Sequence, residues 1–232
     1  MRQALSVAVA TGLYGVSFGA LSVVAGLDVW QTMALSLVMF SGGSQFAFIG
    51  VAGSGGSPGA AIATAALVGV RNALYGPQVA PLVEARGAHR LLAAQLTIDE
   101  STAVGTAQRD PTAARVGFWW TGAGVFLLWN VFTLLGALLG GAAGDPRRYG
   151  LDAAAAAAFL GLVWPRLADR AAQVVAGAAV VVALATTPVL PSGVPVLLAA
   201  GLAVLVGVLW RPDGAGVPRA VAARVSSERR SP

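Results

Sequence analysis

The chain has 232 residues, 56% of them hydrophobic and 11% charged, with a formal net charge of +5 and a mean hydropathy of +0.74. Soluble domains carry about 25% charged residues, so this composition excludes an ordinary water-exposed globule. The absence of cysteine excludes disulfides, thiol nucleophiles and Cys-ligated metals.

Charge is absent from 3–27, 29–70, 72–83, 116–144 and 171–210. A spanning helix needs about 20 mainly apolar residues, and most of these runs supply at least one. The fold class read from this pattern is an all-α polytopic membrane protein with seven or eight transmembrane helices, several of them short, kinked or discontinuous. All the basic residues are Arg. They lie between apolar runs and in the tail, which is a pattern of membrane topology rather than of a nucleic-acid surface.

In chain order, the first predicted span is 4–26. Its apolar run is longer than a signal-peptide core and lacks a cleavage site, so it reads as a retained span. Gly15-x-x-x-Gly19 within it suits close helix contact. The second span is 30–51, followed by the turn "GSGGSP". The third, 59–83, contains Arg71, Pro77 and Pro81 and leads to the charged loop "EARGAHR". The segment 91–108 is apolar on both sides of Asp99 and Glu100, and its composition leaves open whether it crosses or re-enters. A further span covers 116–141, with "GFWW" as an interfacial aromatic belt. The loop 144–150, a run at 153–165 too short to cross unbroken, and two short spans at 171–187 and 194–210 complete a transmembrane domain of residues 1–210. The Arg-rich tail, 211–232, reads as disordered. Five Arg in the tail against none in the 188–195 hairpin place the C-terminus in the cytoplasm. If 91–108 crosses there are eight crossings with the N-terminus inside; if it re-enters, seven with it outside.

Three polar features lie at membrane depth. A charged side chain at mid-membrane costs about 2.5–3.5 kcal/mol or more, so Arg71 is expected to meet Asp99 or Glu100. Adjacent helical residues point about 100° apart, so one carboxylate pairs with Arg71 and the other is left for a cavity, a substrate or a proton. The "FSGGSQF" stretch, with Ser41, Gly42, Gly43, Ser44 and Gln45, reads as an interrupted helix. Unwound backbone of this kind holds substrates at the midplane of transporters. Arg71, or the half-helix dipole near Gly42–Gly43, is the candidate for a substrate carboxylate, and Asp99 or Glu100 for an ammonium or a coupling proton. Asn72 joins the substrate-binding candidates, and Phe40, Phe46 and Phe48 are candidates for an apolar pocket. Catalysis is not expected: the single histidine, His89, lies in a charged loop, and there is neither a metal-ligand cluster nor a phosphate-binding loop. No cofactor is implied.

The stretches "YGVSFGALSVVAGL" (14–27), "FSGGSQFAFIGV" (40–51), "VRNALYGPQVAP" (70–81) and "LTIDESTAV" (96–104) occur in order. Together they resemble the AzlC-type family, the large subunit of branched-chain amino acid exporters, over roughly residues 1–210. The 151–165 stretch followed by a short-helix hairpin fits the family's C-terminal half. The resemblance implies export of Val, Leu, Ile or Met across the cell membrane, driven by the proton gradient, together with a small four-span AzlD-type membrane subunit. The chain departs from the family at Asn72, where a His or aromatic residue is usual, and in the Ala run at 153–158. Its alternatives are an accessory or scaffold subunit, in which the buried charges only clamp helices, and an efflux carrier for another small zwitterion.

Overall fold

A computed structural model describes residues 1–142, 160, 164–168 and 170–209, and among these there is no strand. The helices are α1 (Arg2–Val24), α2 (Val29–Val38), α3 (Gly43–Gly53), α4 (Pro58–Val83), α5 (His89–Gln95), α6 (Asp99–Thr106), α7 (Pro111–Ala142), α8 (Arg170–Thr186) and α9 (Val194–Leu209), with a 3₁₀ turn at Trp164–Ala168. Two of them, α1 and α7, are long and apolar enough to cross a membrane. The predicted third span coincides with α4, and the two predicted short spans with α8 and α9. The expectations for 144–150, for most of 153–165 and for the tail at 211–232 lie outside the described residues.

The helices α1 and α7 run parallel in close contact, which the Gly spacing of the sequence anticipates. Ala8 lies against Gly124, Gly12 against Leu128, Gly15 against Trp129 and Thr133, and Ala20 against Gly140. A Cβ on Gly15 would sit 2.5 Å from Trp129 O. One on Gly19 or Gly136 would overlap the backbone of the facing helix. In lipid there is no hydrophobic drive between helices, so close approach through small residues is what binds such a pair. This pair is the scaffold for everything that follows.

The predicted second span, 30–51, is corrected by the structure: it is two helices that fold back on themselves. Helix α2 leaves the C-terminal end of α1 and descends along α7, with Ser36 level with Thr133 and the ring of Phe40 5.0 Å from that of Phe126. The chain turns at Met39–Gly42, and α3 climbs back past Trp129 until Gly53 lies against Ala25. Both ends of the hairpin therefore sit at the same end of α1. Gly42 has φ +50°, a backbone state that side chains with a Cβ rarely adopt, and it makes the reversal.

The ambiguous 91–108 segment makes a second hairpin, entering from the opposite end. Arg115, near the start of α7, pairs with Glu84 at 2.9 Å and donates to Leu82 O, so the end of α4 lies beside the start of α7. Helix α5 goes inward from there until Leu96 lies against Gly122, and α6 returns until Gly105 packs on Ala114 and Phe118. Gly122 is eleven residues into α7, or about 16 Å along it at 1.5 Å per residue. That is about half the thickness of the bilayer's hydrocarbon core. Within the fold the segment is therefore a hairpin that turns back about halfway along α7.

The two hairpins and the helices after them are two versions of one unit. Each break is bridged by the third residue of the returning helix. Gln45 Nε2 donates to Leu35 O and Ser36 O, both at 3.3 Å; Ser101 Oγ donates to Leu96 O and accepts from Ile98 N. Each following helix opens on a capping residue, a proline and a repeated Ala pair. These are Ser57-Pro58-x-Ala60-Ala61 and Asp110-Pro111-x-Ala113-Ala114, with Ser57 Oγ accepting from Ala60 N and Asp110 Oδ2 from Ala113 N. Eleven residues after each proline comes a glycine, Gly69 or Gly122, and each lies against its own hairpin, at Ser44 and at Leu96 respectively. The units 29–83 and 89–142 thus enter from opposite ends of the α1–α7 scaffold.

This arrangement predicts a definite labelling pattern, convenient to test because the chain has no cysteine of its own. Single cysteines at Gln31 and Gly59 should react with a membrane-impermeant thiol reagent from one side, and those at Ala88 and Ala107 from the other. If Ala88→Cys and Ala107→Cys label from opposite sides, the second hairpin is a crossing and the inverted repeat is wrong.

Candidate functional site

The tips of the two hairpins meet, and α4 delivers Arg71 between them. Its guanidinium forms an ion pair with Asp99, Nη2 to Oδ2 at 2.9 Å and Nε to Oδ2 at 3.0 Å. Nη2 also donates to Ser41 O at 3.2 Å, a carbonyl in the unwound tip of the first hairpin. Tyr75, one turn along α4 on the same face, donates its hydroxyl to Asp99 Oδ1. Gln95 Nε2 donates to Leu37 O at 2.8 Å and ties the second hairpin to the first. The side chains of Arg71 and Asp99 are 25% and 14% exposed, so the pair is largely enclosed but reachable.

Interrupting a helix inside a membrane leaves backbone groups that lipid cannot satisfy. Here the carbonyls of Leu35, Ser36, Leu37 and Ser41 are all taken by side chains, those of Gln45, Gln95 and Arg71. The break is built into the fold.

Asp99 and Glu100 face different neighbours, as their adjacent helical positions require. Asp99 turns to Arg71 and Tyr75 on α4. Glu100 turns to α1, where Thr11 Oγ1 donates to its Oε1 at 3.4 Å. The residues alone leave open which carboxylate meets Arg71; the structure brings Asp99 to it. Ser41 and Ser44 are joined Oγ to Oγ at 3.0 Å beside the Arg71 contact, with Gly42 and Gly43 between them. Gln45 is fully buried, and its Oε1 has no hydrogen-bond partner among the described residues; neither has Asn72 Oδ1, next to Arg71 in the chain. Phe40 and Phe46 are core residues, packed on Phe126 and on Phe18 with Trp129, and Phe48 packs at the edge of that core. His89 opens α5 at the exposed end of the hairpin.

Tyr75, Gln95, Thr11 and Ser101 are absent from the candidates that the sequence suggests. Tyr75 has a local signal, since a hydroxyl four residues from a buried arginine shares its helix face. Gln95 and Thr11 have none, because each matters only through a carbonyl or carboxylate contributed by another segment of the chain, whereas Ser101 acts locally, on Leu96 and Ile98 of its own hairpin.

A family model described as AzlC protein matches residues 6–143, more than half of the chain and the whole of both hairpin units. The chain belongs to the AzlC family. Comparison with curated proteins and with solved structures finds no match. AzlC is a transporter family rather than a family of enzymes, and membership implies a role related to branched-chain amino acid transport. In this AzlC chain the family match ends at the last turn of α7, so α8 and α9 lie beyond it.

Proposed function

We propose that the chain is the large subunit of a two-component secondary transporter that exports branched-chain or other small apolar amino acids in exchange for protons. The observation that carries this reading is the meeting of two half-helix hairpins, inserted from opposite ends, at a single enclosed ion pair. Secondary transporters bind substrate near the midplane where inverted repeats present discontinuous helices.

The ion pair suits a zwitterion. An amino acid inserted between Arg71 and Asp99 offers its carboxylate to the guanidinium and its ammonium to the aspartate. The site is neutral both empty and loaded, which keeps the charge cost in a low-dielectric environment small. The amide end of α3, at Gly43 and Ser44, adds partial positive charge for the carboxylate. Ser41 contributes its carbonyl to Arg71, and Asn72, which follows Arg71 in the chain, is a candidate contact for the substrate. Glu100 has no cation in contact among the described residues, and we assign it the coupling proton.

Among the described residues Arg2, Arg86, Arg90, Arg109 and Arg115 lie at one end of the bundle. Among the described residues the opposite end, at 25–28, 54–57 and 187–193, holds no Arg. By the bias of positive charge toward the cytoplasm, the Arg-bearing end is the cytoplasmic one. The transporter domain is 1–210, with α1, α4, α7, α8 and α9 among its crossings and a small four-span AzlD-type subunit as partner in the cell membrane.

The test is efflux of radiolabelled leucine from proteoliposomes holding this chain and the four-span subunit. Efflux should follow an imposed pH gradient. Glu100→Gln should keep exchange of leucine for leucine but lose the response to the gradient, whereas Asp99→Asn should lose both. If neither subunit combination moves any branched-chain amino acid, the chain is a scaffold and the ion pair a clamp.

A further inference from the structure

A cavity of about 480 Å³ opens between the C-terminal half of α4 and the second hairpin. Its walls are small, with Gly76 and Ala80 on one side and Ala93 and Ala94 on the other, so two adjacent elements fail to fill the space between them. Its inner end is Gly76 and Thr97. Gly76 follows Tyr75 in the chain, and Thr97 lies in the break two residues before Asp99. The inner lining thus lies one and two residues along the chain from Tyr75 and Asp99, the partners of one hydrogen bond, and neither of those two residues lines the cavity itself. Its outer rim carries Glu84, Arg86 and Arg90. Glu84 is engaged by Arg115, which leaves Arg86 and Arg90 to set the sign of the field at the mouth. Arg90 is held there by its Nε bond to Ala85 O at 3.1 Å.

The geometry points to this cavity as the vestibule through which the transported zwitterion passes between the Arg-bearing face of the membrane and the Arg71–Asp99 site. In it Arg86 and Arg90 gather the substrate carboxylate at the mouth, and Tyr75 latches the inner end. This rests on the transport reading above and adds the path, the side from which the site is open and two recruiting residues. The size lies within the 300–1,000 Å³ of ordinary small-molecule sites, and small apolar walls under a cationic rim suit an apolar amino acid led by its carboxylate. The Tyr75 hydroxyl occupies one acceptor site of Asp99 Oδ1, so an incoming ammonium shares that oxygen with the latch and competes with it.

Single cysteines at Ala80 and Ala94, both exposed positions of the wall, test the vestibule in the reconstituted two-subunit complex. An anionic, membrane-impermeant methanethiosulfonate should modify both from the Arg-bearing side, and leucine should slow the reaction several-fold. Arg86→Gln with Arg90→Gln should slow the anionic reagent by about tenfold, the scale of electrostatic focusing at a cleft, and leave a neutral reagent unaffected. The same pair should raise KM for leucine with kcat unchanged. Tyr75→Phe should speed modification at Ala80→Cys and weaken the preference of the site for its empty state, seen as a lower KM.

Modification only by a lipid-soluble maleimide, with transport intact, would make the cavity a lipid groove and overturn the vestibule while leaving the transport reading standing. Aqueous modification that leucine does not slow, again with transport intact, overturns it as well, since the substrate path then lies elsewhere. Aqueous modification with no transport of any amino acid sinks the transport reading and this one with it.

Discussion

Arg71→Ala and Asp99→Ala should each strongly destabilise the protein and stop leucine transport, while the double variant should be markedly more stable than the two losses added together. Removing one member leaves the other charged in a site with little water. Breaking a fully buried pair costs about 3–5 kcal/mol, and partial exposure of Arg71 and Asp99 brings this to about 2–3 kcal/mol on the same scale. For a chain of this size each kcal/mol moves the unfolding midpoint by about 2–4 °C, so each single variant should lose on the order of 5–10 °C. The double variant removes both charges and recovers about 1–3 kcal/mol of coupling. Arg71→Ala combined with Glu100→Ala should instead be close to additive, because Glu100 faces Thr11 rather than the guanidinium. Midpoints measured by thermal unfolding in detergent decide the matter. Additivity for the Arg71 and Asp99 pair would mean the contact contributes nothing, and stronger coupling to Glu100 than to Asp99 would reverse the two roles.

The second large effect is steric. Gly19→Ala or Gly136→Ala places a methyl group where the facing helix has its backbone, with Thr133 O and Val16 O as the obstructing atoms. Neither atom can swing aside as the end of a flexible side chain can. Ordinary overpacking costs about 1–3 kcal/mol, and here the alternative is to force α1 and α7 apart along their whole seam. Both variants should fail to give a monodisperse protein in detergent by size-exclusion chromatography. Gly50→Ala, at a position with nothing within 4 Å of the added methyl, should behave as the parent. A well-behaved Gly19→Ala protein with an unchanged midpoint would mean that α1 and α7 do not meet in this register. Activity would follow folding in these variants, because both hairpins lean on α7 and a shifted scaffold moves their tips relative to Arg71.

Several features were legible in the residues themselves. Composition and charge-free runs require helices in lipid, because a chain with so few charges cannot clothe a large apolar core in water. The cost of Arg71 at depth demands a carboxylate partner, and Asp99-Glu100 is the nearest acidic pair in an apolar setting. Two glycines amid Ser and Gln mark an interrupted helix. The order of four motifs pointed to the family, which the match over residues 6–143 establishes.

Tertiary structure alone decided that both 29–53 and 89–106 are hairpins. A single crossing helix and two half-helices folded back have the same length and the same apolar content, so hydropathy cannot separate them. What separates them is which backbone carbonyls find partners at the turn, and the partners Gln95 and Arg71 act across contacts that no local pattern encodes. The choice between Asp99 and Glu100 was likewise not in the sequence. Adjacent residues on a helix differ by a fixed rotation, and only the packing of α6 between α4 and α1 decides which of them turns toward Arg71.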